Sequence, residues 1–96
     1  MKKGLFFLII TLYSFGQNLT YIPDDNFEQK LIYLGYDTVL DDYILTSSID
    51  TITSLIINWD WIDDLTGIED FTALVSLDCA GNNLTELDVS NNLYLE

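Results

Sequence analysis

The groups able to do chemistry in this chain are carboxylates, two tryptophans and a single thiol. Its 96 residues carry sixteen Asp and Glu against three Lys, with no His and no Arg. Lacking imidazole and guanidinium, the chain has no side chain that ordinarily titrates near neutrality and no bidentate phosphate clamp. What remains are the acid pairs Asp24/Asp25, Asp41/Asp42, Asp63/Asp64 and Glu69/Asp70. Such pairs suit a hard cation or the two-carboxylate hydrolysis of a glycosidic bond. None follows the calcium-loop spacing with its central Gly and terminal Glu, and no spacing sets an acid apart from a base. Calcium would fit best in residues 37 to 42, and no catalytic, cofactor-binding or metal-ligating residue is assigned. Trp59 and Trp61 flank Asp60. Paired aromatics there can stack on a sugar or anchor a protein partner, or they can cover the junction between an N-terminal segment and the rest of the chain.

These residues must be positioned by the stretch from Ile49 to Leu95, whose apolar residues recur mostly by threes: Ile49, Ile52, Leu55, Ile57, Ile62, Leu65, Ile68, Phe71, Leu74, Leu77, Cys79, Leu84, Leu87, Val89 and Leu95. A step of three fits neither one amphipathic helix nor one ordinary strand, so the chain has to wind. Leu55, Ile57, Asp60, Ile62 and Leu65 return as Leu77, Cys79, Asn82, Leu84 and Leu87, each 22 positions later, and Leu74 returns as Leu95 after 21. The second turn reads L-x-x-L-x-C-x-x-N-x-L, a leucine-rich-repeat pattern. Each L-x-L segment is expected to be a short parallel strand, with alternate side chains inward. An inward Asn82 can donate to and accept from backbone groups of adjacent coils; Asp60 holds its slot in the first coil, and Asn92 is read as a third such position. Cys79 takes the slot of Ile57 and Val89 and is expected to pack as a small hydrophobe.

Residues 1–16 read as a secretory signal: Lys2 and Lys3, the apolar run Leu5 to Leu12, then Ser14, Phe15 and Gly16. The run is too short for a lasting membrane span. Cleavage after Gly16 would leave Lys30 alone against all sixteen acids. That surface repels nucleic acid and anionic membranes and favours solubility, cations or basic partners. After an extended lead-in, Asp25 and Glu28 make a capping-box spacing, with the choice of N-cap residue left open. Phe27, Leu31 and Leu34 form the stripe of a helix that Gly35 should end. Residues 36 to 48 read as turns, with a second short helix near Val39 to Leu45.

The order I-P-D-D-N-F (Ile22 to Phe27), I-T-S-L (Ile52 to Leu55), D-L-T-G-I-E-D-F-T-A-L (Asp64 to Leu74) and L-D-C-A-G-N-N-L-T-E-L-D-V-S-N-N (Leu77 to Asn92) resembles secreted bacterial leucine-rich-repeat proteins of the internalin-like kind. The alternation of L-D-C and L-D-V is similar to versions from flavobacteria-like organisms. The resemblance implies a helical N-terminal cap over residues 17–48, and over 49–96 an α/β repeat, the start of a right-handed leucine-rich-repeat solenoid with short parallel strands. About two coils are present, so the array reads as the N-terminal piece of a longer one.

The resemblance also implies a non-enzymatic binding module, without a cofactor, for a protein or cell-surface glycan. The outward strand residues are its candidate face: Ser54, Ile56 and Asn58, then Ser76, Asp78 and Ala80, then Glu86, Asp88 and Ser90, with Trp59 and Trp61 beside them. The competing expectations are a structural cap for a longer array and a calcium-stabilised adhesion module.

Overall fold

The computed structural model describes residues 18–96; the signal-peptide expectation for residues 1–16 lies outside the described residues. Among the described residues, four strands and one α-helix follow in the order β1 (Leu19–Tyr21), α1 (Asp25–Tyr33), β2 (Tyr43–Leu45), β3 (Ser54–Ile56) and β4 (Ser76–Asp78). Short 3₁₀ turns occur at Thr46–Ser48 and Ile68–Asp70.

Helix α1 begins at Asp24, whose Oδ1 accepts from the backbone N–H groups of Asn26 and Phe27 at 2.9 and 3.0 Å. The Asp25/Glu28 capping box does not form, because Glu28 turns away to bind another segment. At the other end Gly35, at φ 93°, donates to the Ile32 carbonyl at 3.0 Å while Tyr36 donates to that of Leu31 at 2.9 Å. That pair of bonds is the Schellman closure, which needs a left-handed residue and so favours glycine. Phe27 and Leu31 are fully buried, whereas Leu34 is half-exposed, so the buried stripe is shorter than its spacing suggested.

The segment expected to be a second helix is strand β2 instead. It pairs antiparallel with β1 in the register Leu19↔Leu45, Thr20↔Ile44 and Tyr21↔Tyr43. Thr20 and Ile44 point inward from this hairpin and are buried, while the Tyr21 and Tyr43 rings meet outside at 5.4 Å. Tyr, Ile and Leu in alternation suit a half-buried ribbon better than a helix.

Strands β3 and β4 are parallel with Leu55 opposite Leu77, so the 22-residue offset in the sequence is the spatial register of one coil on the next. The ladder runs past the strands through Ile57 N–H to the Asp78 carbonyl and Trp59 N–H to that of Ala80, at 2.8 and 2.9 Å. Inside lie Ile49, Ile52, Leu55, Ile57, Ile62, Leu65, Ile68, Phe71 and Leu74, joined by Phe27 and Leu31 of α1 and by Ile22. The Phe27 and Phe71 rings stack at 6.1 Å, which seats the helix on the first coil.

Burial falls along the array. Leu55, Ile57 and Ile62 are enclosed, but their successors Leu77, Cys79 and Leu84 are only half-buried and Leu87 is exposed. A solenoid position is covered by its neighbours in both directions, and the second coil has a neighbour on one side among the described residues.

Candidate functional site

Along β3 and β4 the inward Leu55 and Leu77 alternate with Ser54, Ile56, Ser76 and Asp78, all of them exposed. Ile56 is 57% exposed, an apolar group in the middle of a polar stripe. Asn58 closes the stripe by donating from Nδ2 to Asp78 Oδ2 at 3.2 Å. The structure thus brings together Ser54, Ile56, Asn58, Ser76 and Asp78.

Trp59 and Trp61 stand at the end of this stripe, 72% and 73% exposed, and both adopt left-handed backbone at φ 61° and 59°. For a bulky residue with a Cβ this conformation costs on the order of 1–2 kcal/mol. The Trp59 ring lies against Gly81 in the next coil, at φ 75°, and a Cβ on Gly81 would run into three of its ring atoms. Trp61 accepts through its carbonyl from Asn26 Nδ2 at 2.9 Å. With both residues more than 70% exposed, most of each indole faces solvent rather than the helix–coil junction.

Asp60, between them, faces Lys30. The Nζ to Oδ2 distance is 3.8 Å, with each side chain about a quarter exposed (23% and 25%), and Nζ also sits 5.1 Å from the centre of the Tyr33 ring. Asn26, Gln29, Lys30, Tyr33 and Asp60 line a groove of about 340 Å³ beside the tryptophans.

Glu86, Asp88 and Ser90 are not on a third strand. They lie on the return side of the second coil, where Glu86 and Asp88 share a cleft of about 510 Å³ with Asp63, Asp64 and Glu69. The Ser90 hydroxyl and N–H both bond the exposed Asp88 carboxyl and hold it below its usual range. Val89 and Asn92 shift with them. Asn92 donates from Nδ2 to the carbonyls of Ile68 and Phe71, 2.9 and 3.0 Å away, and is buried on the return side. It is therefore no third copy of the Asp60/Asn82 position, and Val89 is no third copy of Ile57 and Cys79. The spacing misled because L-D-V-S-N-N, from Leu87 to Asn92, resembles the text of L-D-C-A-G-N-N without repeating its place in the coil.

Asn82 does what its inward placement implied. Its Nδ2 donates to the carbonyls of Ile57 and Cys79 at 2.8 and 3.0 Å, and its Oδ1 accepts from the N–H groups of Asp60 and Ile62, both at 3.0 Å.

Sequence reasoning missed the polar ties between the helix–hairpin segment and the coils. Asp24 Oδ2 accepts from Asp63 and Asp64 N–H at 2.9 and 3.0 Å. Thr20 Oγ1 donates to Asp70 Oδ2 at 2.7 Å. Missed too was Glu28, which is 0% exposed and accepts from the N–H groups of Asp41 and Asp42. Burial, and then the Asp37 carboxyl beside it, push its carboxyl up to about 7, against the lowering effect of those two N–H groups. In the stretch where calcium was expected, the carboxylates of Glu28, Asp37 and Asp41 offer oxygens within 4.8 Å of one another.

With this geometry in place, comparison with known proteins is informative. Internalin J of Listeria monocytogenes serotype 4b (strain F2365) is 39% identical over 72 residues, which is 75% of this chain and 8% of that protein. Over this span the chain is homologous to Internalin J. The solved functional domain of Listeria InlJ, described as including a cysteine ladder, aligns with a TM-score of 0.70 at 35% identity, over 82% of this chain and 18% of that one. The internalin InlF from strain 4b F2365 aligns with a TM-score of 0.69 over 78% of this chain and 22% of that one, and at 24% identity it speaks to fold alone. No family model matches. The fold is a leucine-rich repeat, and this chain spans less than a quarter of each of these three proteins. No helix among the described residues is long and apolar enough to cross a membrane.

Proposed function

We propose that this chain is an exported, non-enzymatic binding module that recognises a protein or glycan outside the cell or at its surface. In this reading residues 1–16 direct export. Residues 17–48 cap a right-handed solenoid whose first coils fill residues 49–96. Ligand contacts fall on Ser54, Ile56, Asn58, Ser76 and Asp78 together with Trp59 and Trp61. The observation that supports it is the conformation of the two tryptophans. A large apolar ring kept in water on strained backbone gains little for folding, and backbone strain of this kind concentrates where a surface is used. Tryptophan is also among the residues that most often dominate binding energy. Internalin relatives, as repeat proteins, make the recognition class the natural one.

The test is to probe a glycan array and a panel of immobilised extracellular protein domains with wild type and with W59G/W61G. Loss of the wild-type hits, with stability kept within about 1 kcal/mol, is the expected result. Hits that survive the double change, or a collapse of stability, would overturn the assignment to the tryptophans.

A second reading is that this segment serves chiefly as the structural cap of a longer array. The bonds from Asp24 to Asp63 and Asp64 favour it, because they tie helix to coil without leaving a free surface group. A longer chain that keeps its ligand after W59G/W61G would support this reading.

A further inference from the structure

Glu28 is the one carboxylate of the described residues that is fully buried. Its two oxygens receive the N–H groups of Asp41 and Asp42 at 3.2 and 2.8 Å. The carboxylates gathered around it are Asp25 from its own helix, and Asp37, Asp41 and Asp42 from the turn before β2. The single Lys of the described residues, Lys30, is engaged with Asp60 instead. Asp37 accepts from the Thr38 N–H through Oδ1 at 2.8 Å, but its Oδ2 is buried and has no donor among the described residues. A buried carboxylate oxygen without a donor carries the full desolvation penalty, and two ionised carboxylates in contact repel. One proton removes both costs. Held on Glu28, it supplies the missing donor to Asp37 Oδ2 while leaving the Glu28 lone pairs to the Asp41 and Asp42 N–H groups.

We infer that Glu28 and Asp37 share one proton, and that this proton latches helix α1 to the 37–42 turn. The turn is worth latching because Asp42, at φ 71°, presents its carbonyl to Ile22 N–H at 2.7 Å and leads directly into β2. Losing the proton puts two charges in contact beneath the helix and loosens the turn that starts the hairpin. The raised Glu28 carboxyl agrees with this geometry and sets the window. A folded-state value above the unfolded one means the latch is fully engaged below the ordinary carboxylate range. It is lost as pH rises through about 7. The helix–hairpin segment is thus tightest in acid and slackens around neutrality.

The experiment follows the Glu28 carboxyl by ¹³C NMR in the full chain, with thermal midpoints of wild type, E28Q and D37N from about pH 5 to about pH 8. Expected is a Glu28 titration near neutrality and a wild-type midpoint that falls over this range, while E28Q, neutral throughout, stays nearly flat. In D37N the amide donates to ionised Glu28, so the affinity of Glu28 for its proton drops by tenfold or more. A Glu28 that titrates as an ordinary exposed carboxylate, or one unmoved by D37N, would overturn the proposal. So would a midpoint at neutral pH that rises on adding calcium chloride, since the carboxylates would then be holding a cation. The D37N titration decides the matter even if E28Q does not fold.

Discussion

Asn82 donates from Nδ2 to the Ile57 carbonyl of the preceding coil at 2.8 Å, and its other three bonds return to Cys79, Asp60 and Ile62. A single amide thus satisfies four backbone groups on the inside of a bend, where the parallel ladder has ended and no strand partner is left. Replacing it with Ala strands two carbonyls and two N–H groups at a half-buried site. At a net value near 1 kcal/mol per bond, N82A should cost about 2–4 kcal/mol in urea or guanidinium unfolding. N82D keeps the acceptor but turns a carboxylate toward the two carbonyls. Protonation restores one donor, so N82D should regain stability as pH falls and lose it as pH rises, a dependence N82A will not share.

Asp24 illustrates a different economy, with one oxygen capping α1 and the other receiving Asp63 and Asp64 N–H from the first coil. A simple N-cap is worth about 0.5–2 kcal/mol. D24A should exceed the usual cap loss, at about 2–3 kcal/mol, since two further N–H groups lose their acceptor. D25A, at the exposed neighbouring acid, should change stability by less than about 0.5 kcal/mol. Equal effects of the two changes would mean the tie to the coil contributes nothing.

How much of this was legible depended on whether a residue's partner lay one repeat away. Leu55 and Leu77 could be paired from the sequence because the solenoid converts a 22-residue offset into contact. The inward role of Asn82 was legible for the same reason, and so were Ser54, Ile56, Ser76 and Asp78 as outward residues. Asn92 was not, because its text copies that of Asn82 while the chain has moved to the return side, where Ile68 and Phe71 await it. Glu86 and Asp88 were misplaced by the same phase error. Glu28 was hidden for another reason. Capping-box spacing is local, but its N–H partners, Asp41 and Asp42, lie across a turn that spacing does not reveal. Nor could composition show that Trp59 and Trp61 adopt left-handed backbone, since that is imposed by the bend around Asp60.

Gly81 and Trp59 should be energetically coupled, because the ring occupies the space a Cβ would need. G81A should cost about 1–3 kcal/mol from the clash and the positive φ together. It should also alter tryptophan fluorescence as the ring is displaced. In a W59G background the clash vanishes and only the backbone strain remains, so the same G81A should cost about 1 kcal/mol. A double-mutant cycle by chemical denaturation measures the difference. Coupling near zero would show that the ring does not rest on Gly81 in solution and would weaken the case that its exposed face is held ready for a ligand.

Asn92 tests the return side. It is 4% exposed, both protons of its amide are engaged with the carbonyls of Ile68 and Phe71, and its Oδ1 has no donor among the described residues. N92D would set a carboxylate against two carbonyl oxygens with nothing to balance it. Burying an unpaired charge is costlier than losing a neutral bond, so N92D should destabilise by about 3 kcal/mol or more at neutral pH. N92S is neutral and offers one donor, so it should cost less than half as much. Thermal unfolding followed by circular dichroism ranks the two. If N92D proves the milder change, the amide cannot be oriented with Nδ2 toward Ile68 and Phe71, and the carboxylate must be finding donors that the present arrangement lacks.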